Sequence, residues 1–232
     1  MKNFAGAISD VCVNDPTGSV SYTHLDVYKR QGITLALGEG PRRTAVEMMK
    51  RFKEAGALIS FDVNFRANLW SGEEAKACIE SILPFVDVFF CSEDTARLTF
   101  QKSGSAKEMM KSFTDDYPIS IVASTQRIVH SPKSHTFGSV IYDARNKWFY
   151  EDEPYRNIEV VDRIGSGDAY ISGALYGLLT YHGDCQKALE YGNASSAVKN
   201  TIPGDLPSCN LKEIDRVIRQ HKKGGSGLEM DR

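Results

Sequence analysis

Short apolar segments alternate with longer amphipathic segments between Gly32 and Ser124, and this alternation constrains the fold more than any other feature of the chain. The apolar segments are "GITLAL", "ALISFDVN", "VDVFFC" and "ISIVAS". Their length and composition predict strands, and the segments between them carry apolar residues at helical spacing. Ser71 and Glu74 also have the spacing of a capping box at a helix start. Strands that alternate with helices predict an α/β protein with a mostly parallel sheet covered on both faces.

The pattern changes after the last of these strands. "HTFGSVIYDARNKWFYEDE" alternates with period two around "DARN", which predicts an antiparallel hairpin at the edge of the sheet. Three helical segments follow the tetrapeptide "GSGD": "AYISGALYGLLTY", "DCQKALEYGNASSAVKN" and "LKEIDRVIRQHKK". Residues 223–232 are rich in glycine and predict a flexible tail.

Composition excludes several classes of partner and site. The net charge of −2 gives no electrostatic reason to expect nucleic acid or an anionic membrane as a partner. No apolar run is long enough to span a bilayer, and the N-terminus lacks the pattern of a signal peptide. The five cysteines show no CxxC spacing, so neither a disulfide framework nor a zinc site is predicted. We expect a soluble, cytoplasmic protein with reduced thiols.

Residues 1–31 do not follow the alternation. The stretch "SYTHLDVYKRQ" has no helical or strand period, and it resembles translated adapter sequence. We interpret residues 1–31 as either an artefactual segment or a divergent N-terminus, and we infer no function from them.

The segment "DRIGSGDAY" places glycines and a carboxylate at the start of a predicted helix. Glycine lets a ligand approach the main chain closely, and the N–H groups and dipole at a helix N-terminus favour an anion. Gly165, Ser166 and Gly167 are therefore candidates to bind a phosphate. Asp168 is unsuited to binding an anion and is a candidate base that takes a proton from an attacking hydroxyl. The alternative is an ordinary helix N-terminus in which Asp168 only complements the dipole.

Two other motifs with a similar glycine content do not fit this segment. A dinucleotide fingerprint would need a third glycine where Tyr170 stands. A nucleophile elbow would need its first glycine where Ile164 stands. An oxidoreductase that binds a dinucleotide is therefore a weak alternative.

"VVDRIGSGDAYISGAL" resembles the C-terminal signature of the ribokinase-like sugar kinases, also called the PfkB carbohydrate kinase family. That signature is D-T-x-G-A-G-D, followed by an aromatic residue and a later glycine, and Arg163 and Ser166 replace its threonine and alanine. The matching residues are Asp162, Gly165, Gly167, Asp168, Tyr170 and Gly173. The resemblance implies a three-layer α/β/α sandwich that uses ATP and Mg²⁺. It also implies that Asp168 is the catalytic base and that the amides from Gly165 to Asp168 form an anion hole.

"FDVNFRANLW" begins in a predicted strand and continues beyond its carboxyl end, where open α/β sheets place their ligands. An arginine at such a place can bind a carboxylate through two parallel hydrogen bonds, although Arg66 could also be an ordinary surface residue. The segment is similar to the D-x-N-x-R-x-x-L-W of 2-keto-3-deoxygluconate kinases. This resemblance implies that Asn64 and Arg66 bind a six-carbon sugar acid. A kinase for fructose or another ketose is the nearest alternative.

Two weaker matches give further candidates. "NASSAVKNTIPGDLP" resembles the family's adenine-side helix and the loop that closes on the sugar. It implies that Asn193 and Ala197 lie near the base and that Asp205 lies near substrate hydroxyls. "CSED" stands in the place of the family's N-x-x-E, which helps to position magnesium. Asp94 is thereby a candidate metal ligand, although Cys91 replaces the asparagine and an acidic helix start is an equally good interpretation.

The nucleotide loop that follows the "ISIVAS" strand in the family contains glycines, whereas "STQRIVHSPKSH" has none. Ser124 and Thr125 are the only candidates that this stretch offers.

The resemblance covers residues 32–232, and residues 32–222 are interpreted as the C-terminal part of a sugar kinase domain. The family's first strands and its small β-sheet lid are not matched, so we expect an N-terminally truncated chain. A non-catalytic remnant is therefore a second hypothesis. The expected partners are a sugar or sugar acid and ATP, without nucleic acid or membrane, and the resemblance allows a homodimer for a full-length parent.

Overall fold

The computed structural model describes residues 27–223. The interpretation given for residues 1–31 lies outside the described residues from residue 1 to 26, and the flexible tail predicted over 223–232 lies outside them from residue 224 onward. The described chain divides into two compact units. Of the described residues, the first unit contains those up to Thr125 together with Val140–Tyr150, and the second contains Gln126–Ser139 together with those from Glu151 onward.

The first unit is built on a parallel sheet. Its strands are β1 (Val27–Gln31), β2 (Leu58–Asp62), β3 (Val88–Phe90) and the first part of β4 (Ile121–Ser131). They are parallel neighbours in the order β1-β2-β3-β4. Its helices are α1 (Gly32–Ala36), α2 (Glu39–Glu54), α3 (Gly72–Ile82), α4 (Glu93–Leu98) and α5 (Ala106–Asp116). The alternation of strands and helices predicted this α/β arrangement correctly.

The prediction of a strand over "GITLAL" is wrong, because Gly32–Ala36 form the helix α1. The place beside β2 is taken by β1, which pairs with β2 along its whole length. The chain leaves the sheet at Gly32, where a Cβ would lie 2.0 Å from the carbonyl oxygen of Val63. Leu35 then turns into the core, where it is fully buried. A short apolar run fits a buried helix as well as a strand, so periodicity could not separate the two.

Local signals in this unit are confirmed at several helix starts. Ser71 accepts a hydrogen bond from the backbone N–H of Glu74, whose carboxylate accepts one from the N–H of Ser71, and this completes the predicted capping box. Ser92 caps α4, where its side chain accepts a hydrogen bond from the N–H of Thr95. The core packs the rings of Phe61 and Phe89 in a stack with centroids 6.5 Å apart. The contact between these two rings therefore helps to hold β2 and β3 in place.

The predicted edge hairpin is confirmed by β5 (Ser134–Asp143) and β6 (Trp148–Glu151), which are neighbours at the end of the strand order. The expected loop after "ISIVAS" is absent from the described residues, because β4 continues to Ser131 and Ser134 then begins β5. Ser124 and Thr125 consequently lie inside a strand. A seventh strand, β7 (Tyr155–Glu159), pairs antiparallel with β5.

The second unit contains the three helices that were predicted after "GSGD". They are α6 (Ser166–Thr180), α7 (Cys185–Asn200) and α8 (Leu211–Lys222). Helices α6 and α7 pack closely, since a Cβ on Gly173 would lie 2.4 Å from the carbonyl oxygen of Tyr191. Among the described residues, no helix combines the length and apolar character that crossing a membrane requires.

Candidate active site

The turn that leads into α6 has the geometry of an anion-binding helix start. Gly165 is the N-cap residue and has a left-handed backbone, with φ 78° and ψ −3°. No side chain caps this helix start. The first N–H groups of an α-helix have no partner within the helix, and the helix dipole makes that end positive. The N–H of Ser166 already donates to the carbonyl oxygen of Arg163 at 3.1 Å. The other N–H groups of the turn, among them that of Gly167, are therefore the candidates to bind a phosphate oxygen.

Gly165 also joins this turn to a second loop. A Cβ on Gly165 would lie 2.0 Å from the carbonyl oxygen of Asp205, so the two backbones touch there. At Gly167 the situation is opposite, because an added Cβ would meet no atom within 4 Å. The structure thus brings two predicted site segments together and leaves the outer side of the turn open.

We expect Gly165→Ala to lower the free energy of unfolding by about 2 to 4 kcal/mol, because it combines a left-handed backbone with a clash against fixed main chain. Gly167→Ala is the matched control, and it should change stability by less than about 1 kcal/mol because helix propensity alone is altered. Urea denaturation of the two variants measures the difference. Equal stabilities would show that the turn and the 205 loop separate without cost.

Asp162 holds the turn in shape. Its carboxylate accepts hydrogen bonds from the N–H of Ile164 at 2.9 Å and from the N–H of Gly204 at 3.1 Å. These bonds, that from Ile164 first, together with the charge of Lys199, hold the pKa of Asp162 below its usual range. The sequence comparison matched Asp162 to the family signature but gave it no role. An aspartate that bonds to the N–H two residues onward is a known turn-forming pattern, so this half of its role could have been found from sequence.

Lys199 is the residue that sequence reasoning missed. Its side chain is fully buried, and its Nζ donates to the carbonyl oxygens of Asp162 at 3.1 Å and Ile202 at 3.0 Å. The lysine thereby ties the turn before α6 to the loop after α7. Nothing in the local pattern of α7 distinguishes this lysine from an exposed one.

The other candidates in the second unit differ in exposure. Asp168, in the first turn of α6, and Asp205 are both exposed. Asn193 and Ala197 are buried on α7, and the Asn193 side-chain oxygen accepts a hydrogen bond from Ser139 Oγ at 2.7 Å. The Asn193 side chain is thus already engaged within this unit. Contact of Asn193 and Ala197 with adenine stays a prediction.

The candidates in the first unit follow the carboxyl ends of neighbouring parallel strands, β2 and β3. Asn64 has a positive φ of 38°, and its N–H donates to Asp62 Oδ1 at 3.2 Å, which turns the chain out of the strand. Arg66 is exposed, and its Nη1 donates to the carbonyl oxygen of Phe65 at 2.9 Å. Asp94 is exposed in the first turn of α4. These three side chains belong to the edge of the sheet where α/β proteins bind ligands.

The segment from Cys91 to Asp94 fits magnesium only in part. Cys91 is buried, and its Sγ donates to the carbonyl oxygen of Ser92 at 3.5 Å. Burial, with a smaller contribution from the charge of Asp62, raises the pKa of this thiol, so it is neutral near pH 7. Magnesium prefers oxygen ligands, and the segment contains two carboxylates. That of Glu93 is ion-paired with Arg97 at 2.8 Å, which leaves the carboxylate of Asp94 as the candidate. Within residues 27–223 no group of three or more histidine, cysteine, aspartate or glutamate side chains is placed to hold a metal ion.

Fold and site together define an α/β protein with an uncapped, glycine-containing turn at the start of a helix. Comparison with known families then gives the family. A model described as pfkB family carbohydrate kinase matches residues 19–209, and the chain belongs to this family. The match begins before Gly32, so it includes part of the segment that the sequence patterns left unassigned.

Individual relatives agree with this assignment. The chain is 33% identical over 198 residues to a 2-dehydro-3-deoxygalactonokinase of Haloferax volcanii, covering 85% of this chain and 58% of the relative. It is 33% identical to a probable fructokinase of Arabidopsis thaliana, covering 79% and 52%. The solved structure of 2-dehydro-3-deoxygluconokinase from Thermotoga maritima matches with a TM-score of 0.79 at 28% identity, covering 84% and 60%. The ribokinase-like fold is thereby confirmed, and the chain spans less than two thirds of the length of each of these proteins.

Proposed function

We propose that the protein transfers the γ-phosphate of ATP to a primary hydroxyl of a six-carbon sugar acid, with 2-keto-3-deoxygluconate as the first candidate. The observation that carries this proposal is the turn from Gly165 to Asp168, which combines an uncapped helix start with an exposed carboxylate. Membership of the PfkB family supports phosphoryl transfer. The similarity to the Haloferax and Thermotoga kinases supports a sugar acid as the acceptor.

The chemistry assigned to these residues is mostly positioning and charge stabilisation. In phosphoryl transfer the negative charge spreads over the oxygens of the transferred group, and N–H groups fixed in advance stabilise that charge without reorganising. The amides from Gly165 to Asp168, other than that of Ser166, which donates to the carbonyl oxygen of Arg163, would supply this stabilisation. Asp168 would accept the proton of the attacking hydroxyl, which makes the oxygen a better nucleophile. Magnesium, when bound to the nucleotide, neutralises phosphate charge, and Asp94 is the candidate to help hold it.

Arg66 is proposed to recognise the carboxylate of the acceptor, with Asn64 beside it as a further hydrogen-bonding group. Its guanidinium is permanently charged and exposed, and it follows the carboxyl end of β2. A ketose without a carboxylate would not use this charge. Phosphorylation of fructose is the second candidate function. It is favoured by the probable fructokinase of Arabidopsis thaliana, whose sequence identity to the chain, 33%, equals that of the Haloferax relative.

A substrate panel with wild-type chain and two arginine variants tests the acceptor. We expect phosphorylation of 2-keto-3-deoxygluconate in preference to fructose. Arg66→Gln should lower kcat/KM for the sugar acid about ten- to a hundred-fold, as removal of a charge-assisted hydrogen-bond pair does. Arg43→Gln, an exposed arginine on α2 of the same unit, is the control and should leave kcat/KM unchanged.

Two results would contradict the proposal in different ways. If wild type phosphorylated sugar acids and neutral ketoses equally well, and Arg66→Gln did the same, the role of Arg66 would be rejected and a ketose kinase favoured. No turnover of any sugar, with a melting temperature that MgATP does not raise, would favour a non-catalytic remnant, because a ligand that binds the native state must raise its stability.

A further inference from the structure

The ammonium group of Lys199 joins two segments of the candidate site, both in the second unit. Lys199 is in the last turn of α7, and its side chain is fully buried. Its Nζ donates to the carbonyl oxygen of Asp162, which precedes the turn into α6, and to that of Ile202, in the loop after α7. The same turn and loop meet again where Gly165 lies against the main chain of Asp205. One side chain therefore sets the spacing of both segments.

Asp162 is held at each of its polar groups. Its N–H donates to the carbonyl oxygen of Asn200 at 3.2 Å. Its carboxylate accepts from the N–H groups of Ile164 and Gly204, and its carbonyl oxygen accepts from Lys199. The first three partners are main-chain groups, whereas Lys199 contributes a side chain. The contact from Lys199 is thus the one that a substitution can remove without altering Asp162 itself.

Lys199 also places a positive charge in the core without a counter-charge. Among residues 27–223 no carboxylate oxygen lies within ion-pair distance of its Nζ. Burying an ammonium in this way is costly, and an apolar side chain of similar volume would fill the space at lower cost. The negative end of the α7 dipole offsets part of that cost. The carbonyl oxygen of Asp162 lies outside α7, so the end of the helix alone does not explain the placement of the charge.

We propose that Lys199 is a positioning residue for phosphoryl transfer, whose charge holds the Gly165–Asp168 turn and the loop at Asp205 in the arrangement that the reaction needs. The reference to phosphoryl transfer rests on the proposed function. Amides stabilise a developing charge only when they are fixed beforehand, and a small displacement of reacting groups lowers the rate strongly. Lys199 acts through the main chain of Asp162 and Ile202 and is not itself a catalytic residue.

Chemical rescue tests the role of the charge in the whole chain. Lys199→Ala removes three carbons and a nitrogen, and n-propylammonium contains the same atoms. This cation should raise the melting temperature of Lys199→Ala, because a ligand that binds the folded chain stabilises it. Two matched additives should not: n-propanol, which is neutral, and tetramethylammonium, which is charged but has no N–H group. Wild type and Lys199→Met fill the space and should respond to none of the three.

Kinetics distinguish positioning from packing. Well below their melting temperatures, Lys199→Ala and Lys199→Met should both show a kcat about ten- to a hundred-fold lower than wild type. n-Propylammonium should return the kcat of Lys199→Ala toward the wild-type value and leave that of Lys199→Met unchanged. Lys212→Ala, which removes an exposed lysine on α8, is the control and should keep the wild-type kcat. If filling the volume were enough, Lys199→Met would keep it too.

A measurement on wild type tests the inference even if both variants fail to fold. Protons of a buried, hydrogen-bonded ammonium exchange slowly with water, so Lys199 Nζ should give an observable ¹⁵N resonance. Addition of MgATP should shift this resonance together with that of the Gly167 amide. A shift at Gly167 without any change at Lys199 Nζ would overturn the coupling between the lysine and the turn. The absence of both shifts would reject the proposed nucleotide site together with this role.

The outcomes separate this inference from the proposed function. Stabilisation of Lys199→Ala by n-propylammonium in a chain that phosphorylates no sugar supports the role of the charge in holding the turn and rejects the kinase activity. Sugar phosphorylation that both Lys199 variants leave within about a factor of two of wild type rejects the positioning role and leaves the proposed function intact. Rescue by n-propanol as effective as that by n-propylammonium would assign Lys199 to packing alone.

Discussion

Asp168→Asn is expected to lower kcat for sugar phosphorylation about 10²- to 10⁴-fold, the range that general-base catalysis contributes. Asparagine keeps the size of the side chain and its place in the first turn of α6, but it cannot accept a proton near neutral pH. Affinity for the nucleotide should stay the same or increase, because the substitution removes a negative charge beside an anion site. A coupled kinetic assay measures kcat, and calorimetry with ATP measures the affinity.

The matched control for Asp168 is Glu159→Gln, which neutralises an exposed carboxylate on β7 of the same unit and should leave kcat unchanged. A kcat of Asp168→Asn within a factor of two of wild type would reject Asp168 as the base. Loss of both turnover and ATP binding would instead assign Asp168 to the structure of the turn. The alternative interpretation, in which it merely complements the helix dipole, predicts only a small loss of stability and no loss of kcat.

Lys199→Met is expected to lower the free energy of unfolding by about 3 kcal/mol. Methionine fills a similar volume, so the change removes the two hydrogen bonds and leaves the partly buried carbonyl oxygens of Asp162 and Ile202 beside an apolar side chain. Each unsatisfied buried carbonyl contributes about 1 to 3 kcal/mol of destabilisation. The loss is a large part of the total, since domains are stable by only about 5 to 15 kcal/mol.

Urea denaturation measures the effect of Lys199→Met, with Lys212→Met, an exposed lysine on α8, as the control that should change stability by less than about 0.5 kcal/mol. If the turn binds ATP as proposed, ATP binding should also weaken, because the main chain at Asp162 would no longer be fixed. Unchanged stability would show that water reaches both carbonyl groups when the lysine is removed. In that case the buried cation would not be what holds the turn.

The features that the sequence predicted well depend on residues close together in the chain. The capping box of Ser71 and Glu74 lies within four positions, and the period of each helix is a property of a dozen residues. The start of α6 at Ser166, directly after a glycine, is equally local. Even the parallel direction of β2, β3 and β4 follows from the alternation, because a helix between two strands returns the chain to the end of the sheet at which the first strand began.

The errors and omissions depend on residues far apart in sequence. "GITLAL" became a helix because β1 occupied the place beside β2, a competition that no property of the six residues contains. Where a loop was expected after "ISIVAS", the chain instead continues as β4 to Ser131, and β5 lies beside β4 in the sheet.

The candidate site divides in the same way. The sequence by itself determined which segment presents glycines and a carboxylate at a helix start, because backbone freedom and the helix dipole are local properties. Only the tertiary structure decided that Gly165 touches the main chain of Asp205 and that Lys199 is buried against two carbonyl groups. The physical reason is that burial and the close approach of two main chains are properties of contacts between segments, and these contacts exist only once the chain has folded.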